Sequence, residues 1–283
     1  MQTIAITGAN RGIGLAAARH LAADGHRVIL VCRDEQRGRD ALDSLTALPR
    51  GAKHHLVVAD LASLESVRAG ARAIIDLGHT LDALVNNAAV LTAERTLSHD
   101  GFEIQLAVTH LAHFLLTDLL LPRLRRHPGK SRVVTVSSAA HSGPPFDFDD
   151  PHFATRPYKR IRAYQQSKLA NILFTLALAR RTAGTGIEPV ALHPGVYDTG
   201  LLRNYVGQVP GGGLAATVFA GKPDRAGPIL AELAAGRQDE DLAGTYLDKG
   251  RPETPSRAAR DLAAQERLWE WSASATGQSA AGM

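Results

Sequence analysis

The stretch YQQSK, Tyr164 to Lys168, sets a phenol and an ammonium four residues apart. On a helix such positions share a face, with Cβ atoms about 5–6 Å apart. The pair suits proton exchange with an oxygen atom. A free tyrosine has a pKa of about 10, so about one molecule in a thousand is ionised at pH 7. A group that both gives and takes a proton works best with a pKa near the working pH. Lowering the phenol by about three units takes about 4 kcal/mol. One positive charge about 4 Å away, at an effective dielectric of about 20, supplies that much. Taken alone, the five residues read more simply as a solvated helix face. The chemical reading depends on what else the chain brings to the same place.

A second feature is TGANRGIG, Thr7 to Gly14. Gly8, Gly12 and Gly14 follow a short apolar run and open an amphipathic one. Small residues at a strand-to-helix turn let backbone approach a pyrophosphate. The helix start adds unpaired N–H groups and partial positive charge. The turn from Gly8 through Asn10, Arg11, Gly12 and Ile13 to Gly14 is the expected phosphate cradle. The second apolar run ends at Cys32, read as a small buried hydrophobe, and Arg33 follows. An acidic residue there would hold a ribose hydroxyl and favour NAD. An arginine pairs instead with the 2′-phosphate of NADP, and Arg11 brings a second cation. The expectation is NADPH/NADP+, with NADH left open because Asp34 comes one position later.

The elements that must position these groups alternate along the chain. Strands are expected at 3–7, 27–32, 55–59, 82–87, 132–137 and 187–193, all rich in β-branched residues. Nearly continuous apolar character marks strands covered on both faces. Helices are expected at 13–24, 34–47, 63–77, 100–126 and 158–183, with a last amphipathic helix after residue 255. This β-α alternation predicts an α/β fold: a three-layer, doubly wound parallel sheet (Rossmann fold) in one domain spanning 1–283. Two segments break the rhythm. Residues 139–157 read as an insertion, and residues 197–222, with a Gly-Gly-Gly run, as a substrate flap. Tyr197, Leu201, Leu202, Tyr205 and Phe219 in the flap suit either an apolar lid or a packed helix.

Composition narrows the function. The net charge of +4 is scattered, with no basic block beyond Arg123, Arg125 and Arg126, which argues against a nucleic-acid partner. The one cysteine excludes an internal disulfide and a cysteine-built zinc site. His110, His113, His141 and His193 invite a metal reading, but no third ligand lies at useful spacing, so no metal is expected. The longest apolar run, Leu115 to Leu121, is interrupted by Thr117 and Asp118 and falls short of a membrane span. A first strand at Thr3 leaves no room for a signal peptide. The expectation is a cytoplasmic protein with no membrane partner.

With these motifs in order, the sequence resembles the short-chain dehydrogenase/reductase family in its single-domain form. It is closest to the branch that contains retinol dehydrogenases. TGANRGIG matches the cofactor turn and Asp60–Leu61 the adenine contact. NNAA at Asn86–Ala89 matches a motif that usually ends in glycine; Asn87 and Ala88 are its expected cofactor contacts. YQQSK matches Y-x-x-x-K. HPGVYDT at His193–Thr199 matches a nicotinamide-contacting stretch, which implies Pro194, Gly195, Val196 and Thr199 as cofactor residues. The resemblance implies that Tyr164 exchanges a proton with the substrate oxygen and that Ser138, the second of the Ser137–Ser138 pair, holds that oxygen. It implies that Lys168 binds the nicotinamide ribose. It thereby implies an NAD(P)-dependent oxidoreductase acting on a ketone, an aldehyde or the corresponding alcohol, with a bulky apolar substrate suggested by the branch. Subunits pair through the helices at 100–126 and 158–183 in many members, as homodimers or homotetramers, and some members of the branch are monomers. One departure stands out: Thr109 occupies the place of an asparagine that orders a water behind the lysine. That change supports an alternative from another class, a dinucleotide-binding sensor or interaction module with weakened turnover.

Overall fold

A computed structural model of the chain describes residues 1–48, 52–195, 223–236 and 241–280. The six expected strands form as β1 (Thr3–Thr7), β2 (Arg27–Cys32), β3 (His55–Val58), β4 (Ala83–Asn86), β5 (Ser131–Val136) and β6 (Ile187–His193). They pair in parallel in the order β3-β2-β1-β4-β5-β6. Two further strands extend the sheet: β7 (Thr245–Asp248), parallel to β6, and β8 (Arg251–Glu253), antiparallel to β7. The doubly wound parallel sheet is thus as expected, with one antiparallel strand added at its edge. Three- and four-residue strands carry too little pattern to be read from sequence, and β8 is wholly exposed. The order reverses direction between β1 and β4, the place where open α/β sheets bind ligands at their carboxyl ends.

Alternation along each strand distributes its side chains to two layers. Ile4, Ile6, Val28, Leu30, Val85 and Val190 pack with Ala17 and Leu21 of α1 (Gly12–Ala23), Leu45 of α2 (Glu35–Thr46) and the helix that follows β6. Ala5, Ile29, Val31, Leu84 and Val133 face Ile74 of α3 (Leu64–Asp76), Leu115 of α4 (Ile104–Arg125) and Phe174 of α5 (Arg160–Arg181). The apolarity of α4 is that of a core helix, with 83% of its most apolar window inside the fold. Its second turn, Ala107–Leu111, is π-helical. The helix starts at Ile104 because buried Glu103 caps it, its carboxylate accepting from the N–H groups of Gln105 and Leu106.

Helix α6 (Pro223–Ala234) was not expected, since Gly227 and Pro228 sit inside it. Gly227 is needed there: a Cβ would stand 2.6 Å from the Cβ of Ala16, so α6 lies directly against α1. Helix α7 (Leu262–Ala275), capped by Asp261, covers α4 and α5 from outside. Trp269 stacks on Phe174 of α5 and meets Phe114 of α4 edge-on, with Arg181 4.3 Å above its ring. Within 139–157, Phe146 and Phe153 are buried, and Asp150 accepts from the N–H groups of Ala154, Thr155 and Arg156. The expected flap at 197–222 lies outside the described residues. Cys32 is buried at the end of β2, and burial pushes its thiol up to about 11.

Candidate active site

The turn after β1 has the geometry a pyrophosphate needs. Gly8 and Gly12 have φ of +65° and +57°, in the left-handed region that favours glycine. A Cβ on Gly14 would stand 2.7 Å from both the Gly8 oxygen and Asn87 Nδ2. Arg11 occupies the N-cap of α1 without a side-chain cap bond, which leaves the first-turn N–H groups for an anion. Asn10 and Ile13 line the same turn, half-buried, while Arg11 is exposed.

The end of β4 is tied to this turn. Thr7 Oγ1 accepts from the N–H groups of Asn87 (2.9 Å) and Ala88 (3.0 Å), and Asn87 Nδ2 donates to the Thr7 carbonyl (2.8 Å). His113 of α4 meets Thr7 Oγ1 through Nε2 (2.8 Å) and the Thr109 carbonyl through Nδ1 (2.9 Å). A carbonyl only accepts, so Nδ1 carries the proton and Thr7 donates to Nε2. Asn86 points away, to Thr117. Glycine turn and NNAA motif therefore form one hydrogen-bonded unit.

Around the expected adenosine end, Asp60 Oδ1 accepts from the Ala62 N–H (3.0 Å), with Leu61 buried beside it. Arg33 is exposed at the end of β2. Asp34 is engaged elsewhere: its carboxylate caps α2 through the Arg37 N–H (3.0 Å) and lies 3.5 Å from Arg37 Nε. On the other side of the crevice, β6 ends in buried Pro194 and in Gly195 at φ +110°. Val196 and Thr199 lie outside the described residues.

Ser138 follows β5 directly, and Tyr164 and Lys168 lie on α5, which Lys168 ties to the end of β5. Ser138 caps the 3-10 turn Ala139–Ser142, its Oγ accepting from the Ala140 N–H (3.2 Å). That bond uses an oxygen lone pair and leaves the hydroxyl hydrogen uncommitted by it. Ser137 instead donates to the Lys168 carbonyl (2.8 Å), fastening β5 to α5. The turn packs against α5: a Cβ on Gly143 would stand 2.8 Å from Cδ of Gln165. Tyr164 is half-buried, with Lys168 Nζ 5.7 Å from its ring centroid. Lys168 is 2% exposed and donates to the Val136 carbonyl (2.9 Å). Burial pushes its ammonium down to about 7. Thr109 is fully buried, and its Oγ1 has no hydrogen-bond partner among the described residues.

The sequence matches the family model for short chain dehydrogenase over residues 2–209. The chain belongs to the short-chain dehydrogenase family. It is therefore an oxidoreductase that works with a nicotinamide dinucleotide. Human retinol dehydrogenase 13 is 38% identical over 285 residues, covering 98% of this chain and 85% of the relative. Mouse polyprenol dehydrogenase is 41% identical over 272 residues, covering 93% and 80%. Among solved structures, an uncharacterized protein from Mycobacterium paratuberculosis superposes with a TM-score of 0.77 at 33% identity, covering 98% of this chain and 94% of that one. The RhlG/NADP active-site complex of Pseudomonas aeruginosa gives a TM-score of 0.68 at 25% identity, covering 88% and 95%.

In this short-chain dehydrogenase, three supporting residues were not read as such from sequence. Asn171, which donates to the same Val136 carbonyl as Lys168 (3.1 Å), lies three residues after it on one helix face, and that spacing was a usable signal. His113 was weighed as a metal ligand or a helix-packing residue, and His141 only as a metal ligand. Each bonds a nearby carbonyl through Nδ1 and a distant group through Nε2, the Thr7 hydroxyl for His113 and the Ser256 N–H for His141, and no sequence spacing reveals the distant partner.

Proposed function

We propose that this short-chain dehydrogenase reduces a ketone or aldehyde with NADPH, or runs the reverse alcohol oxidation, with Tyr164 as the proton-exchanging group. The observation that carries this reading is a buried cation, Lys168, one helical turn from Tyr164 and beside the serine turn that follows β5. The cofactor, when bound, supplies or takes the hydride at the substrate carbon. The glycine turn and the Asn87–Ala88 end of β4 hold its pyrophosphate and ribose side, and Lys168 holds the nicotinamide ribose. Ser138 donates its hydroxyl hydrogen to the substrate oxygen, and Tyr164 delivers the proton that becomes the alcohol hydrogen. Lys168 keeps the site positive as the phenol loses that proton, in surroundings where a charge is weakly screened.

Exposed Arg33 and Arg11 supply the charge that a 2′-phosphate needs, while Asp34 is already engaged as a helix cap and by Arg37. The names of the human and mouse relatives denote long apolar alcohols, which supports a bulky apolar substrate for this chain too. The test is a fluorescence titration with NADPH and NADH, followed by a carbonyl panel for wild type and Tyr164→Phe. Tighter NADPH binding is expected. The variant should bind NADPH nearly as wild type does and lose at least about a hundredfold in turnover. Equal turnover in the two proteins would remove Tyr164 from the chemistry, and tight NADPH binding with no consumption by wild type would favour a sensor.

A further inference from the structure

We infer that His141 is a positioning residue for Ser138, and that it acts by bolting the serine's turn to the chain segment between β8 and α7. The inference rests on the reading of Ser138 as the group that holds the substrate oxygen.

The Ser138 carbonyl has two lone pairs, and His141 takes both. Its backbone N–H donates at 3.1 Å, closing the 3-10 turn, and its ring Nδ1 donates at 2.8 Å. The ring atom must be the donor, because a carbonyl only accepts. Nδ1 therefore carries the proton, and Nε2 is a lone pair that accepts the Ser256 N–H at 3.1 Å. One tautomer satisfies both bonds; the other satisfies neither. The ring is 4% exposed, and its centroid lies 4.9 Å from that of Tyr246 on β7. Burial pushes the imidazole down from its ordinary value, against the raising effect of the Ser138 bond, which favours the neutral ring with one donor and one acceptor.

This arrangement fixes the peptide plane between Ser138 and Ala139. The Cα–Cβ direction of Ser138 follows from that plane, and so does the aim of the hydroxyl. The Oγ–Ala140 cap bond (3.2 Å) and the His141 N–H bond (3.1 Å) are both internal to the turn and tie it to nothing outside. The ring supplies the second fixed point, taken from a segment 115 residues away in sequence. Displacing a reacting group by about 1 Å can cost about a hundredfold in rate.

The test compares His141→Asn, His141→Leu and Ser138→Ala with wild type for kcat, KM, NADPH affinity and melting temperature. It is completed by 15N chemical shifts of the His141 ring in the wild-type protein. The asparagine amide reaches the Nδ1 position and keeps the bond to the Ser138 carbonyl, but it has no atom at the Nε2 position to accept from the Ser256 N–H. With the Ser256 bolt gone, asparagine is expected to lose about three- to tenfold in kcat and leucine, which loses both bonds, about ten- to a hundredfold, each with NADPH affinity unchanged. A merely structural histidine would lower the melting temperature in both variants without separating their kcat values. Ring shifts of the Nδ1–H tautomer are expected; the Nε2–H tautomer would overturn the inference without reference to activity. Wild-type kcat in His141→Leu beside an inactive Ser138→Ala would overturn it while leaving the serine's role intact. Wild-type turnover in Ser138→Ala would remove the serine reading itself.

Discussion

Lys168 is the side chain at the proposed site whose placement works against stability. The ammonium is buried, it has one carbonyl acceptor, and burial brings it down to about 7 from an ordinary value of 10.5. At or below pH 7 the folded protein carries a poorly solvated cation. Between about 7 and 10.5 the unfolded chain holds a proton there that the folded chain has given up. The unfolded state thus binds more protons, and this group makes stability rise with pH across that window. Lys168→Met is expected to abolish turnover and to stabilise the protein by about 1–4 kcal/mol near pH 7. Asn171 still satisfies the Val136 carbonyl in that variant. The gain should be greatest below pH 7 and shrink toward pH 10.5. Denaturant melts at several pH values check this, and a variant less stable than wild type at pH 7 would show that the ammonium is better solvated than its burial implies.

At the scale of elements, what was legible in the sequence is what packing dictates locally. Six strands announced themselves through β-branched runs because both their faces are covered. Glycine turn and serine turn follow β1 and β5, so their placement at one edge of the sheet followed from strand direction, whereas YQQSK lies inside α5 and is tied to that edge by Lys168. Elements set by partners elsewhere did not show. Helix α6 carries Gly227 and Pro228 and forms against α1, and β8 exists as the return limb of a hairpin with β7. The π-helical turn in α4 has no reading in residue types. Helix α7 was expected, but not its task of covering α4 and α5. Trp269 carries much of that contact, stacked on Phe174 and edge-on to Phe114. Trp269→Ala should cost about 3–5 kcal/mol, read from urea midpoints. A loss under about 1 kcal/mol would mean that α7 is held mainly by its polar contacts, such as Ser272 with His110 and Glu266 with Arg181.

At the scale of the molecule, the same helix bears on assembly. The sequence resemblance pointed to α4 and α5 as the surfaces through which many relatives pair. Here those helices already pack against α7 of their own chain, with Leu268 and Trp269 each 1% exposed. Two subunits joining there would first have to strip α7 away. The expectation is a monomer of 30.1 kDa in sedimentation equilibrium, and a stable species of twice that mass would mean that another surface joins the subunits. The solitary Cys32 has a practical consequence on this scale. With its thiol held at about 11, roughly one molecule in ten thousand is the reactive thiolate at pH 7. Maleimide probes placed on engineered cysteines will thus label against a silent native background, and distances across the crevice can be followed by fluorescence without first mutating the natural sulfur.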